Sequence, residues 1–336
     1  MIIVRAPLRI PLGGGGTDLP SYYSRFGGSW VSAAVNKYIY IVLHQSFKPD
    51  EIKISYSKTE IVKSLEEISH PLFRESLKLL GIKGGIEISS FADAPANAGL
   101  GSSGAFCVAL LYALHVYLKR TEGKDMPSRK EIAEQACNIA MNILDEPSGK
   151  QDEYVSAFGG INSFMVNYEG EVGIDKEFSK KITSELVKEL EANLLMFFTG
   201  IQRESRSVLE VQKRATENNE AEIIDNLHKV KEIGFGVKQA IENKNLLKLG
   251  ELMDLHWREK IKRCGTSNER INEWYNLARE NGAGGGKLMG AGGGGFLLFY
   301  CDGKKDALRS AMKSAGLTEH NFHFDFEGVK ILADFI

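Results

Sequence analysis

The tightest constraint in this sequence is a glycine loop between a strand-like segment and a long apolar one. Pro95-Ala-Asn-Ala-Gly-Leu-Gly-Ser-Ser-Gly104 follows "GGIEISSFADAP" and runs into "AFCVALLYALHVYLKR". The order is therefore strand, glycine loop, helix. Glycine lets backbone approach a ligand closely, and a helix start carries unpaired N–H groups with partial positive charge. Such a loop either caps an inert helix or holds phosphate. It is not a Walker A loop, because Gly101 is followed by Ser-Ser-Gly with no lysine. Gly99, Gly101 and Gly104 fit the dinucleotide spacing, but the second strand and the carboxylate expected about 20 residues on are missing.

Three further segments favour phosphate chemistry. "APLRIPLGGGGTDLP" sets Arg9, Thr17 and Asp18 around a glycine turn. "PSGKQDEY" places Lys150 and Asp152 in a polar segment after a helix, and "GKLMGAGGGGF" supplies another backbone-rich loop. The net charge of -2 provides no field for nucleic acid or an anionic membrane. No apolar run reads as long enough to span a bilayer, and "MIIVRAPLRIPLGGGG" lacks the basic and apolar regions of a signal peptide. The four cysteines have no metal-ligand spacing, which suits a reducing, cytoplasmic setting.

At 336 residues two domains are expected, with the texture changing near residue 193, so that 1–192 and 193–336 form the division. Strands are expected in the first dozen residues, in "SWVSAAVNKYIYIVLHQSF", "EIKISYSK" and "YVSAFGGINSFMVNY", and helices in "TEIVKSLEEISHPLFRESLKLLG" and "SRKEIAEQACNIAMNIL". Beyond "ANLLMFFTG", a buried-type strand, three amphipathic helices precede the last glycine cluster, "FLLFYC" and a strand-like "HNFHFDFEGVKILADF". His320 and His323 in that segment do not read as metal ligands, because Phe322, Phe324 and Phe326 alternate as a buried face.

Taken in order, residues 6–18, 95–105, Asp152 and 290–295 resemble the GHMP kinase superfamily (galacto-, homoserine, mevalonate and phosphomevalonate kinases) along essentially the whole chain. "LGGGGTDLPSYY", "GKQDEYVSAFGG", "FFTGIQRES" and "GKLMGAGGGGFLLFY" are most similar to the sugar-kinase branch that acts on D-glycero-D-manno-heptose 7-phosphate and L-fucose, and within it to its heptose side. The resemblance implies an α+β, two-domain fold. Its N-terminal domain would be ribosomal-S5-like and its C-terminal one a ferredoxin-like α/β plait with extra helices, with ATP and substrate in the cleft between. It implies ATP-dependent phosphorylation of the anomeric C1 hydroxyl of the heptose 7-phosphate, giving a 1,7-bisphosphate for nucleotide-activated heptose, with an L-fucose-type 1-kinase as the alternative.

By the same resemblance Pro95, Gly99, Leu100, Gly101, Ser102, Ser103 and Gly104 would bind ATP, and Ser103 would also hold Mg²⁺. Asp152 takes the catalytic position and Arg9 the basic position facing it. Gly15, Gly16, Thr17, Asp18, Lys150, Arg203, Gly292 and Gly293 would bind substrate; a carboxylate such as Asp18 can accept two sugar hydroxyls. A sugar phosphate also needs cations remote from the reacting oxygen, for which Arg203, Arg206, Lys260, Lys262 and Arg263 are candidates, the last three reading more readily as a solvated helix face. One position departs from the branch: Ala140 stands where a Mg²⁺-binding glutamate is expected, and alanine offers no oxygen to a hard cation. That substitution gives weight to a non-catalytic sugar sensor on the same fold, while retained Asp152 and Arg9 weigh against it. A nicotinamide-dependent dehydrogenase and a decarboxylase of the superfamily are weaker rivals. ATP and a small sugar phosphate are the expected partners, with no nucleic acid or membrane, and a homodimer is the assembly to test.

Overall fold

The computed structural model describes residues 1–203 and 205–335. Its strands are β1 (Ile2–Gly13), β2 (Gly28–Gln45), β3 (Ile52–Ser55), β4 (Thr59–Val62), β5 (Ile86–Ala92), β6 (Ile161–Val166), β7 (Val172–Ile174), β8 (Leu194–Phe198), β9 (Gly285–Leu288), β10 (Phe296–Tyr300), β11 (Thr318–Glu319) and β12 (Lys330–Asp334). The helices are α1 (Pro20–Phe26), α2 (Pro71–Leu80), α3 (Ser102–Glu122), α4 (Arg129–Asn138), α5 (Gln151–Phe158), α6 (Lys176–Lys180), α7 (Ser184–Asn193), α8 (Ser205–Glu217), α9 (Ala221–Glu242), α10 (Leu246–Lys260), α11 (Glu269–Glu280) and α12 (Lys305–Ser314).

Strands β1 and β2 form the centre of an eight-stranded sheet ordered β12-β1-β2-β5-β3-β4, with β6 and β7 branching from β2. The branch exists because β2 is long enough to pair twice, with β6 through residues 28–33 and with β5 through 39–45. In β1 the even positions Ile2, Val4, Ala6, Leu8, Ile10 and Leu12 are fully buried, and α3 packs across both central strands. Pro7 and Pro11 lie within β1, where proline cannot donate to a ladder, and the β1–β2 register shifts at both places.

The second sheet is antiparallel in the order β11-β8-β10-β9. Numbered by chain position that is 4-1-3-2, the split βαβ arrangement of ferredoxin-like folds. Leu195, Phe197, Leu297 and Phe299 face a core made with Trp274, Tyr275 and Met312, while Leu194, Met196, Phe296 and Leu298 face the main core. Burial on both faces explains why these strands read as continuous apolar runs. The final strand, β12, returns to pair with β1.

Several elements depart from the sequence reading. Thr59–Val62, expected to be helical, is strand β4. Residues 154–158, expected to resume strand character, belong to α5, which starts at Gln151 with Asp152 and Glu153 in its first turn, where acidic groups favour a helix N-terminus. Helices α7, α11 and α12 were not anticipated. The phenylalanine segment contributes only a bridge between Val35 and Phe324, and Phe326 is exposed while its two companions are buried. Helix α3 does have the length and composition to cross a membrane, contrary to expectation, but most of it is buried in the protein.

The two sheets meet through backbone. A Cβ on Gly99 would lie 2.7 Å from the Met289 carbonyl oxygen, one on Gly290 2.6 Å from the Gly99 Cα, and one on Gly295 2.3 Å from the Ala98 carbonyl oxygen. All three glycines also have positive φ. Gly290→Ala is therefore expected to cost about 1–3 kcal/mol from backbone conformation alone, with the contact adding to it. Urea unfolding would detect this as a lower midpoint; an unchanged midpoint would contradict so tight a contact.

Candidate active site

Arg9 projects from β1 toward α5. Its Nε donates to Asp152 Oδ1 at 2.7 Å, and its Nη1 donates to the Gly99 carbonyl at 2.5 Å. The Arg9 backbone N–H is bonded to the Leu100 carbonyl, so strand and glycine loop are joined at this residue. The first turn of α3 lies directly on Asp152. A Cβ at Gly101 would come 2.9 Å from Asp152 Cγ, and one at Gly104 2.7 Å from Asp152 Cβ. No side chain caps α3, so the N–H groups of its first turn are left for a ligand. A cavity of about 710 Å³ opens here, and Arg9, Gly99, Gly101, Ser102, Ser103, Gly104 and Asp152 line it. Pro95 and Leu100 do not line it; Leu100 is buried and serves through its carbonyl.

Gly15, Gly16 and Asp18 form another wall. Asp18 accepts the Gly16 N–H on Oδ1 at 2.9 Å and the Gln151 N–H on Oδ2 at 3.0 Å. Burial pushes its carboxyl pKa up, opposed by these N–H groups. Gly149 is the only residue type that fits beside it, since a Cβ there would fall 2.0 Å from Asp18 Oδ2. Thr17 is in a different position: its fully buried hydroxyl donates toward the Gly14 and Ser29 carbonyls and accepts the Ser29 N–H. Thr17 thus fixes the loop, and a sugar does not reach it.

Lys150, Arg203, Gly292 and Gly293 are not on the cavity wall either. Lys150 is buried and donates to both oxygens of Glu134 and to the Gly170 carbonyl. Arg203 donates to the Gly265 carbonyl and lies against Gly293, while Gly292 lies against Thr266. Gly290 and Ala291 are the parts of the third loop that face the cavity.

The carboxylates leave no set for a resident cation. Ala140 does line the cavity, in a π-helical turn over Ile139–Ile143 that extends α4. Glu134 is held by Lys150 and by the Tyr154 hydroxyl, Glu146 by Arg206, and Asp145 by Lys213. Burial, then the neighbouring Asp152 charge, pushes the Glu153 carboxyl up to about 8. No group of three His, Cys, Asp or Glu side chains able to hold a metal occurs among the described residues. Ser103 offers only a hydroxyl beside the glycine loop, so the residues present do not fit a protein-held Mg²⁺.

Sequence reading undervalued one wall altogether. Lys260, Arg263 and Lys287 line the cavity with His256 and Gln212, and all five are buried. Lys287 was hidden inside "GGGKLMG", and His256 reads as helix packing. Lys262 alone of that run follows the expected solvated face, pairing with Glu259 at 2.6 Å.

The sequence profile for the GHMP kinases N-terminal domain matches residues 60–160, and that for GHMP kinases C terminal matches 237–317. The chain is 29% identical to the D-glycero-alpha-D-manno-heptose 7-phosphate kinase of Campylobacter jejuni, covering 98% of each. It is 29% identical to the mevalonate kinase of Pyrococcus abyssi over 85% of this chain and 80% of that one. The crystal structure of a D-glycero-D-manno-heptose 1-phosphate kinase from Bacteroides thetaiotaomicron superposes with a TM-score of 0.79 at 22% identity, covering 100% of each chain.

The buried Glu153 yields a pH prediction. Its carboxyl holds a proton in the folded state up to about pH 8, whereas its ordinary value is 4.5. Stability from this group is complete below pH 4.5 and is lost as pH rises toward 8, because over that window the folded state binds the extra proton. Unfolding free energies of Glu153→Gln and the parent chain should therefore diverge in favour of the variant as pH is raised across this range. Parallel pH profiles would contradict it.

Proposed function

Because the chain belongs to the GHMP kinase family, we propose that this sugar kinase uses ATP to phosphorylate the anomeric C1 hydroxyl of D-glycero-D-manno-heptose 7-phosphate. The observation carrying the reading is that Arg9 and Asp152 pair at 2.7 Å directly beneath the uncapped start of α3, in one cavity with the Gly15–Asp18 loop. Phosphoryl transfer depends on positioning and charge more than covalent chemistry. The α3 N–H groups and the Ser102 and Ser103 hydroxyls receive the triphosphate. Asp152, its side chain 30% exposed to the cavity, accepts the proton of the sugar hydroxyl. Arg9 holds that carboxylate in place and adds a fixed positive charge beside the transferring group. Asp18 and the backbone of Gly15 and Gly16 orient the sugar. The 29% identity to the Campylobacter heptose 7-phosphate kinase over nearly the whole of both chains supports the choice of acceptor.

Ala140 favours a second reading, a sugar sensor of reduced catalytic power, because the cavity lacks a free carboxylate at that wall. ADP release from ATP with Mg²⁺ separates the two, using heptose 7-phosphate and L-fucose as acceptors. Turnover is expected with the heptose phosphate over L-fucose, rising roughly tenfold or more in Ala140→Glu, at lower Mg²⁺ concentration. Equal turnover and Mg²⁺ dependence in both chains would remove the role given to Ala140. Absence of turnover in both, with sugar phosphate still bound, would replace the kinase by the sensor.

A further inference from the structure

We propose that Lys260, Arg263 and Lys287, with His256 and Gln212, form a subsite for a phosphate group that the acceptor sugar already carries. This rests on the proposed sugar-phosphate acceptor and names the residues that would select it over a free sugar.

Three cationic side chains converge on one cavity wall, each less than one-tenth exposed. None forms an ion pair with a carboxylate among the described residues. Glu259, the acid nearest in the chain, is taken by Lys262 and by the Asn226 amide. The cations instead bond to neutral acceptors. Lys260 Nζ donates to the Leu288 and Gly290 carbonyls at 2.9 and 2.5 Å, Arg263 Nη1 to Gln212 Oε1 at 2.6 Å, and Lys287 Nζ to His256 Nδ1 at 2.9 Å. Arg263 Nε has no hydrogen-bond partner among the described residues.

Burying a charge without a counter-charge is unfavourable, and a fold that keeps three together gains nothing from them in the empty state. Burial, then repulsion from Arg9 and within the cluster, lowers the pKa values of Lys260 and Lys287 well below the ordinary lysine value. A dianion with several acceptor oxygens removes both penalties at once, and a guanidinium suits it by geometry. An uncharged sugar would not.

Position favours the acceptor over the nucleotide. Arg263 Nη1 lies 3.3 Å from where a Cβ on Gly16 would sit, and Gln212 Nε2 donates to the Gly16 carbonyl. The cluster thus borders the loop that holds Asp18, and α3 with its free N–H groups forms another part of the cavity. Lys260, bonded to Gly290, is the member nearest the glycine loops.

The test uses the full chain with Lys287→Met and Arg263→Gln. For both, the ratio of kcat/KM with heptose 7-phosphate to that with the unphosphorylated heptose should fall about 10- to 100-fold, with no matching rise in the KM for ATP. A rise confined to the ATP KM would assign the cluster to the nucleotide and overturn the proposal, as would equal losses with both sugars. Thermal unfolding gives a reading independent of turnover. Without ligand, Lys287→Met should melt higher than the parent, since it removes an uncompensated charge; a structural lysine would behave oppositely. Inorganic phosphate should raise the melting temperature of the parent and not of the variants. If the parent turns over no sugar, the acceptor assignment fails, yet phosphate protection lost in the variants still supports the subsite. Absence of protection in the parent overturns it.

Discussion

The pairing of Arg9 with Asp152 organises everything around it. Each residue belongs to a different element, β1 and α5, and the ion pair lies where both press against the first turn of α3. Only glycine at 101 and 104 allows that approach, so the glycine loop is fixed by close packing on a carboxylate. The same guanidinium donates to Gly99, which links the charge of the pair to the loop that would receive phosphate. An aspartate beside a helix N-terminus could pair with that helix's N–H groups. Arg9 holds it instead, leaving the α3 N–H groups free for a ligand.

The second constraint is the stacking of two glycine loops. Gly99 with Gly290, and Ala98 with Gly295, approach as backbone against backbone, and the cavity opens at that seam. The eight-stranded sheet contributes Arg9 and the loop after β1, while the smaller sheet contributes Lys287, α10 Lys260 and the turn after α10 Arg263. The wall from the larger sheet suits proton acceptance and phosphate at a helix start, and the wall from the smaller one is cationic. Charge is thus segregated across the cavity, as an acceptor bearing its own phosphate would require.

Much of this was legible in sequence because it is local. The long strand β2, the strand before residue 95, the loop and α3 follow from periodicity and from glycine placement, and the order of the motifs implied the fold. The errors have physical causes. Tyr154 and Val155 favour strand, but packing and the acidic first turn make residues 151–158 a helix. Lys150 is close to Asp152 in the chain, yet residues two apart at a helix start face different ways, and Lys150 points to Glu134. Thr17 stands beside Asp18 in the chain, but its hydroxyl closes on the loop's own backbone. Lys287 was invisible because nothing local distinguishes a lysine in a glycine run from a solvated one; the fold of β9 against α10 buries it.

The most direct test is a double-mutant cycle on kcat with Arg9→Met, Asp152→Asn and the two combined. If the pair acts as one unit, each single change lowers kcat by about 100-fold or more, and the double variant is little worse than the weaker single. Losses that multiply in the double variant would mean the two residues act independently, and the ion pair could not be the centre on which the site is built.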